Sequence, residues 1–260
     1  MADPGSSVAR RARPVMGTMA SVHVHDDASS MVIDAAIDDL FAELDRLEAI
    51  FSTFRPTSEI SRVNRGALDL AACSPEVIDV LDACTWLESA SNGAFDIRPQ
   101  GLAGPLDPAG FVKGWATERA SARLREHGLE HWYVSVGGDI TLSGAPEPGQ
   151  PWRVGLADPN QPGAIRAWLD VAEGAVATSG TAERGAHLWD RRPGTAPSAF
   201  AAVTVLGPSL TWADAFATTV FVMGEDGFEW LAGFEGYAAV AIRADGSVAA
   251  TAGVAEAVAR

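Results

Sequence analysis

The sequence predicts an α+β fold, a largely antiparallel sheet packed by helices. Three observations carry that expectation. Segments with helical and strand periodicity are mixed along the chain. Several strand pairs are joined by turns too tight to hold a crossover helix, which disfavours a doubly wound parallel fold. No linker divides the chain and no short-period repeat runs through it. One domain over residues 14–260, preceded by a flexible tail at 1–13, is the expected organisation.

The tail is small, polar and basic, without a packing pattern. Residues 16–25 alternate as a strand, with Val22 and Val24 on one side. Ser30 caps the next element. Residues 31–51 then carry Ile33, Ala36, Ile37, Leu40, Leu44, Leu47 and Phe51 at helical spacing. Residues 54–64 read as a loop with a short turn. Ser74-Pro75-Glu76 is a helix start: a capping hydroxyl, a proline at the first position and an acid in the first turn. That helix stops near Asn92-Gly93. A short strand is expected at 94–97. Residues 111–127 read as a helix ended by Gly128.

The second half is strand-rich. Strands are expected at 132–136, 140–142, 152–156, 167–171, 175–178 and 201–205, with a polar loop at 179–198 around His187. Helices follow at 210–223 and 227–231. A hairpin closes the chain: 238–243, the turn Ala244-Asp245-Gly246, then 247–251.

Bulk properties bound the function. Of 260 residues 47% are hydrophobic and 20% charged, an ordinary globular mix. The formal net charge of -15 disfavours nucleic acid and anionic membrane as partners. An anionic ligand would need a local positive site: a cation, a lysine or a helix N-terminus. Cys73 and Cys84 lie about three helical turns apart, too far to be bridged. They read as small packing residues of a reducing compartment. No run reaches the roughly 18 apolar residues of a bilayer span, and no apolar stretch follows the first arginines as in a signal peptide. A soluble, cytoplasmic protein is expected.

The most informative run is Thr211-Trp-Ala-Asp-Ala-Phe-Ala-Thr-Thr-Val220. Asp214 and Thr218 fall one turn apart on one helix face, and alanines keep that face thin. A carboxylate and a hydroxyl in such a setting suit a hard divalent cation whose shell stays largely open to water and phosphate. The competing reading is an apolar helix with one solvated Asp and a Thr bonded back to a carbonyl.

Four further segments carry candidate chemistry. Asp107-Pro-Ala-Gly-Phe-Val-Lys113 joins a carboxylate, a small-residue turn and a lysine at a helix start, where free N–H groups favour phosphate. An ordinary helix start with an exposed lysine fits it as well. Val134-Ser-Val-Gly-Gly-Asp-Ile140 reads locally as strand, turn, strand and lacks a dinucleotide fingerprint. Ala177-Thr-Ser-Gly-Thr-Ala-Glu-Arg184 and His187-Leu-Trp-Asp190 gather hydroxyls, an arginine and a histidine suited to general-base work near neutral pH, although a lone loop histidine is more often a surface residue. Gly93-Ala-Phe-Asp-Ile97 reads as a strand edge with Phe95 inside.

Taken in order, these segments resemble the ApbE-type flavin transferase family (FAD:protein FMN transferases). Met16-Gly17-Thr18 resembles the family's Met-Gly-Thr. Phe54 with Ser58-Glu59-Ile60-Ser61-Arg62-Val63-Asn64 resembles its Tyr…Ser-Glu-apolar-Ser-x-apolar-Asn segment. Ala94-Phe95-Asp96, Asp107…Lys113, Val136-Gly-Gly-Asp-Ile140, Thr178-Ser-Gly180, Glu183-Arg184, His187-Leu-Trp-Asp190 and Ala213-Asp-Ala-Phe-Ala-Thr218 follow. The chain departs from the family at Asp107-Pro-Ala-Gly, where Asp-Leu-Gly-Gly is usual. It departs again at Ala182, where an aromatic is usual, and at Arg191-Arg-Pro-Gly194, which lacks the family's Pro and Thr.

The resemblance implies an ApbE-like fold. It also implies an activity in which FAD is split at its pyrophosphate, FMN passes to a Thr or Ser hydroxyl of an acceptor protein, and AMP leaves. Carried over by position, Asp214, Thr218 and the backbone of Gly110 and Ala217 would hold Mg2+. Met16, Phe54, Ala94, Phe95, Asp96, Asp107, Lys113 and Leu188 would line the FAD site, and His187 is the base candidate. Two other readings stand beside it: an FAD pyrophosphatase giving FMN and AMP, and a non-catalytic FAD-binding protein.

Overall fold

The computed structural model describes residues 8–98, 104–180, 200–254 and 258–259, the last two as backbone only. In chain order the elements are β1 (Ala9–Val15), β2 (Thr18–Val24), α1 (Ser30–Phe51), α2 (Glu59–Asn64), α3 (Pro75–Ala90), α4 (Ala109–Glu126), β3 (Trp132–Val136), β4 (Asp139–Ser143), β5 (Trp152–Ala157), β6 (Ile165–Val171), β7 (Gly174–Gly180), β8 (Phe200–Gly207), α5 (Leu210–Met223), α6 (Asp226–Leu231), β9 (Ala238–Arg243), β10 (Val248–Ala250) and β11 (Val258–Ala259).

Eight strands form one sheet in the order β1-β2-β3-β4-β7-β8-β9-β10, every neighbouring pair antiparallel. A three-stranded sheet, β11-β6-β5, is separate from it. The two-residue strand period sorts side chains between two cores. Val203, Val205, Ala239 and Ala241 join the core under α1, α4 and α5. Leu206 and Val240 turn the other way, into a smaller core with Trp152, Val154, Leu156 and Leu169 of the second sheet. The α+β, largely antiparallel architecture expected from the sequence is the one observed.

Three expectations need correction. The first concerns the tail at 1–13: residues 9–13 belong to β1, which pairs with β2 from Ala9↔Val24 to Val15↔Thr18. Met16 and Gly17, with φ of 51° and 72°, make the two-residue turn between them. Two of the arginines that suggested a solvated tail have carboxylate partners on α1. Arg11 meets Asp34 at 2.6 Å and also Asp38, while Arg13 holds Asp45 with two nitrogens at 2.7 and 3.0 Å. Charge complementarity across more than twenty residues is invisible to a local reading.

Second, the loop at 54–64 contains the helix α2. Ser58 caps it, accepting a hydrogen bond from Ser61 N at 3.0 Å. Third, no strand forms at 94–97. Side chains capture this backbone instead: Ser91 Oγ accepts from Phe95 N at 3.0 Å and Asp96 Oδ1 from Arg98 N at 2.6 Å. Such local bonds compete with a sheet ladder. Phe95 is nevertheless in the core, as expected. Both cysteines are free thiols, and burial pushes Cys84 up to about 12. Among the described residues no helix is long and apolar enough to cross a membrane.

Candidate functional site

The site begins with a close helix crossing. A Cβ added to Gly114 of α4 would fall 2.6 Å from Leu210 O and 2.8 Å from Asp214 Cβ, both on α5. Only glycine allows the two backbones this approach. It brings Gly114 N to Asp214 Oδ2 at 2.9 Å. The neighbouring Lys113 then turns its ammonium toward the same carboxylate, 3.5 Å from Asp214 Oδ1.

A third element arrives from the sheet. Gly137 and Gly138, with φ of 60° and 90°, form the turn between β3 and β4 and deliver Asp139 into the interior. Asp139 Oδ1 accepts from Thr178 N at 3.0 Å. Its Oδ2 meets the Lys113 ammonium and no further donor among the described residues. Ser179, next on β7, shares a hydrogen bond of 3.0 Å with Thr218 on α5. Lys113, Asp139, Asp214, Thr218 and Ser179 therefore converge where α4 and α5 cross the ends of β4 and β7.

The side chains of Lys113, Asp139 and Asp214 are only 10%, 1% and 3% exposed. Among these three the formal charge is one negative. Charges held this far from water need close partners. A hard cation is the chemical complement of such a set. Asp214 supplies a carboxylate and Thr218 and Ser179 supply hydroxyls, all oxygen donors of the kind Mg2+ takes. No group of three or more His, Cys, Asp or Glu side chains gathers among the described residues. That sparse donor set suits an ion that keeps several waters or phosphate oxygens.

The approach to this cluster is built from two loops. Asp107 Oδ1 accepts from Ala109 N at 3.2 Å at the start of α4, and Asp107 N donates to Ile97 O at 2.7 Å. The Asn64 amide brackets Leu106, donating to its carbonyl at 2.9 Å and accepting from its N–H at 2.7 Å. Gly110 lies one turn before Gly114, and a Cβ there would be 3.7 Å from the Phe95 ring. Ala94 and Phe95 are buried and Asp96 half-buried beside this helix start. Met16 sits in the β1–β2 turn, whose Thr18 lies under Gly137, so this turn neighbours the one that presents Asp139.

The structure thus joins Lys113, Asp214 and Thr218, and places Ala217 beside them on α5 in the buried interior. Phe54 is 94% exposed between α1 and α2. His187 and Leu188 lie outside the described residues. Asp139 and Ser179 received no role from the sequence. The available signal was an acidic residue opening a strand directly after two glycines, the one charged residue in Asp139-Ile-Thr-Leu-Ser143.

The fold and the sequence both have counterparts among known proteins. The profile of the ApbE family matches residues 16–104 and 100–241. An FAD:protein FMN transferase of Vibrio cholerae is 25% identical over 272 aligned positions, covering 82% of this chain and 80% of that protein. One from Treponema pallidum is 26% identical, covering 94% and 87%. The crystal structure of the ApbE protein of Thermotoga maritima superposes with a TM-score of 0.83 at 20% identity, covering 95% of this chain and 98% of that one. The flavin transferase ApbE from Vibrio cholerae gives 0.81 at 22%, covering 96% and 100%. With the family profile matched over most of its length, the chain belongs to the ApbE family.

Proposed function

We propose that this chain is a magnesium-dependent FAD:protein FMN transferase, moving FMN from FAD to a Thr or Ser hydroxyl of an acceptor protein with release of AMP. The convergence of Lys113, Asp139, Asp214 and Thr218 is the observation that carries the reading. It sets a cation and oxygen donors for a second cation in one largely buried cluster of a protein whose net charge is -15. The names of the relatives in Vibrio cholerae and Treponema pallidum point the same way.

Asp214 and Thr218, with backbone oxygens of Gly110 and Ala217, would hold Mg2+. Bound there, the ion would offset diphosphate charge and favour AMP as the leaving group. Lys113 binds the diphosphate, with Asp139 holding its ammonium in place. Phe95, Ala94, Asp96, Asp107 and Met16 line the nucleotide site, and Phe54, Lys113 and Leu188 belong to it. The acceptor hydroxyl oxygen attacks the phosphorus on the FMN side of the pyrophosphate. A P–O bond to the acceptor forms, the P–O bond to AMP breaks, and the hydroxyl proton passes to His187. Phosphoryl transfer asks mainly for positioning and charge neutralisation, which these residues supply.

Incubation with FAD, Mg2+ and a Thr-containing acceptor peptide tests this. A peptide mass gain of one FMN together with free AMP is expected. Free FMN and AMP with unmodified peptide would make the chain a pyrophosphatase. Tightly held, intact FAD would make it a carrier.

A further inference from the structure

Glu118 lies one turn beyond Gly114 on α4, where the helix again meets α5. Its Oε2 accepts three hydrogen bonds from the first residues of α5 and the one before: from Ser209 Oγ at 2.8 Å, Thr211 N at 2.9 Å and Thr211 Oγ1 at 2.5 Å. Ser209 occupies the N-cap position of α5 but makes no side-chain cap bond to its own helix. α1 and α2, by contrast, are capped by their own Ser29 and Ser58. The free N–H groups and positive end of the α5 dipole are therefore answered by a carboxylate from another helix. Tyr237 closes over this junction: its phenol bonds to Ser209, and its ring fills the space beside Gly207, where a Cβ would fall 2.1 Å from it.

The anchor sits one turn from the site on both helices. On α4 the order is Lys113, Gly114, Glu118; on α5 it is Thr211, Asp214, Thr218. Three donors on one oxygen fix both the rotation of α5 and its slide along α4. Those two freedoms decide whether Asp214 Oδ2 reaches Gly114 N and whether Oδ1 stands beside Lys113. We propose that Glu118 is a positioning residue, which caps α5 from α4 and thereby sets the Asp214 carboxylate in its working place. Its consequence for Mg2+ rests on the function proposed above.

The experiment compares wild type with Glu118→Ala, Glu118→Gln and Thr211→Val. Hydrogen exchange at the Gly114 amide reports where Asp214 stands, with no cofactor needed. Calorimetric titration of Mg2+ into the FAD-loaded protein reports the consequence. In Glu118→Ala the Gly114 amide is expected to exchange about tenfold faster, the effect of losing one good cap, with β3 and β8 amides unchanged. Mg2+ affinity falls by about tenfold, while FAD affinity stays within about threefold of wild type. Glu118→Gln, which keeps an acceptor oxygen, recovers most of both effects. Unchanged Gly114 exchange in Glu118→Ala, or equal loosening of every element, overturns the inference. Should Glu118→Ala fail to fold, Thr211→Val must speed Gly114 exchange several-fold, and an unchanged rate there overturns it equally. Absence of Mg2+ binding by wild type counts against the proposed function, and the Gly114 amide still decides the role of Glu118.

Discussion

Lys113 and Asp139 form a buried ion pair between the start of a helix and the turn of a hairpin. Neither residue is polar by accident of exposure. Each is carried inward by its own element, Lys113 on α4 and Asp139 at the head of β4, and Asp214 completes the group from α5. Breaking one partner of such a group leaves a charge poorly compensated away from water.

Asp139→Asn is therefore expected to cost about 2 kcal/mol of stability, less than a fully isolated buried pair because Asp214 remains beside the lysine. The double variant Asp139→Asn, Lys113→Met should cost less than the sum of the two single losses, although Asp214 then loses its lysine too. Urea denaturation of the two single variants and the double measures it. Additive losses would mean that the pair is not coupled.

The two glycines in the first turns of α4 should respond in opposite ways. Gly114→Ala places a methyl 2.6 Å from Leu210 O, so the helices must part; a loss of about 2–3 kcal/mol is expected. Gly110→Ala meets only the Phe95 ring at 3.7 Å, ordinary contact, and gains up to about 1 kcal/mol of helix propensity. Thermal unfolding of both variants checks the contrast.

Asp214→Asn retains an oxygen for the Gly114 N–H but removes the charge. Mg2+-dependent AMP release from FAD is expected to fall by about a hundredfold or more, with the unfolding midpoint close to wild type. AMP release at the wild-type rate would remove Asp214 from the metal site.

An acid-sensitive network ties α1 to α3 and α4. Hydrogen bonds from Arg46 and then Arg119, with the charge of Arg123 nearby, lower Glu43 from 4.5 to about 2, against the opposing effect of burial. Glu76 also faces Arg46 and Arg119, and it is lowered by its own backbone N–H first and by Arg46 after that. A depressed folded-state value means that the unfolded chain binds more protons. The stabilisation is thus complete above about pH 4.5 and is lost as pH falls toward 2. Glu43→Gln is expected to cost about 2 kcal/mol at neutral pH, allowing for the solvent-exposed arginines, and progressively less below pH 4. Chemical denaturation of wild type and variant from pH 7 to pH 3 measures it.

The long amphipathic helix α1, the helices α4 and α5, and the tight hairpins were legible because each is written in local periodicity and turn chemistry. Residues 9–13 were not, because the partners of Arg11 and Arg13 lie on a helix far along the chain. The expected strand at 94–97 failed because Ser91 and Asp96 offered its backbone nearer partners. Asp214 and Thr218 were legible as a pair on one helix face. Their meeting with Lys113 was implied by the family resemblance and by no local pattern, since it depends on a helix crossing that only Gly114 permits, between residues about a hundred positions apart. Asp139 was hidden by a sufficient local explanation, the two-glycine hairpin that in fact delivers it.

The central claim is that a divalent ion is held by Asp214 and Thr218 against the diphosphate of bound FAD. Mn2+ in place of Mg2+ makes it directly observable by pulsed electron paramagnetic resonance. Wild type loaded with FAD should show hyperfine coupling between Mn2+ and phosphorus, and Asp214→Ala should lose it. Mn2+ bound without phosphorus coupling, or coupling that survives in Asp214→Ala, would contradict the account.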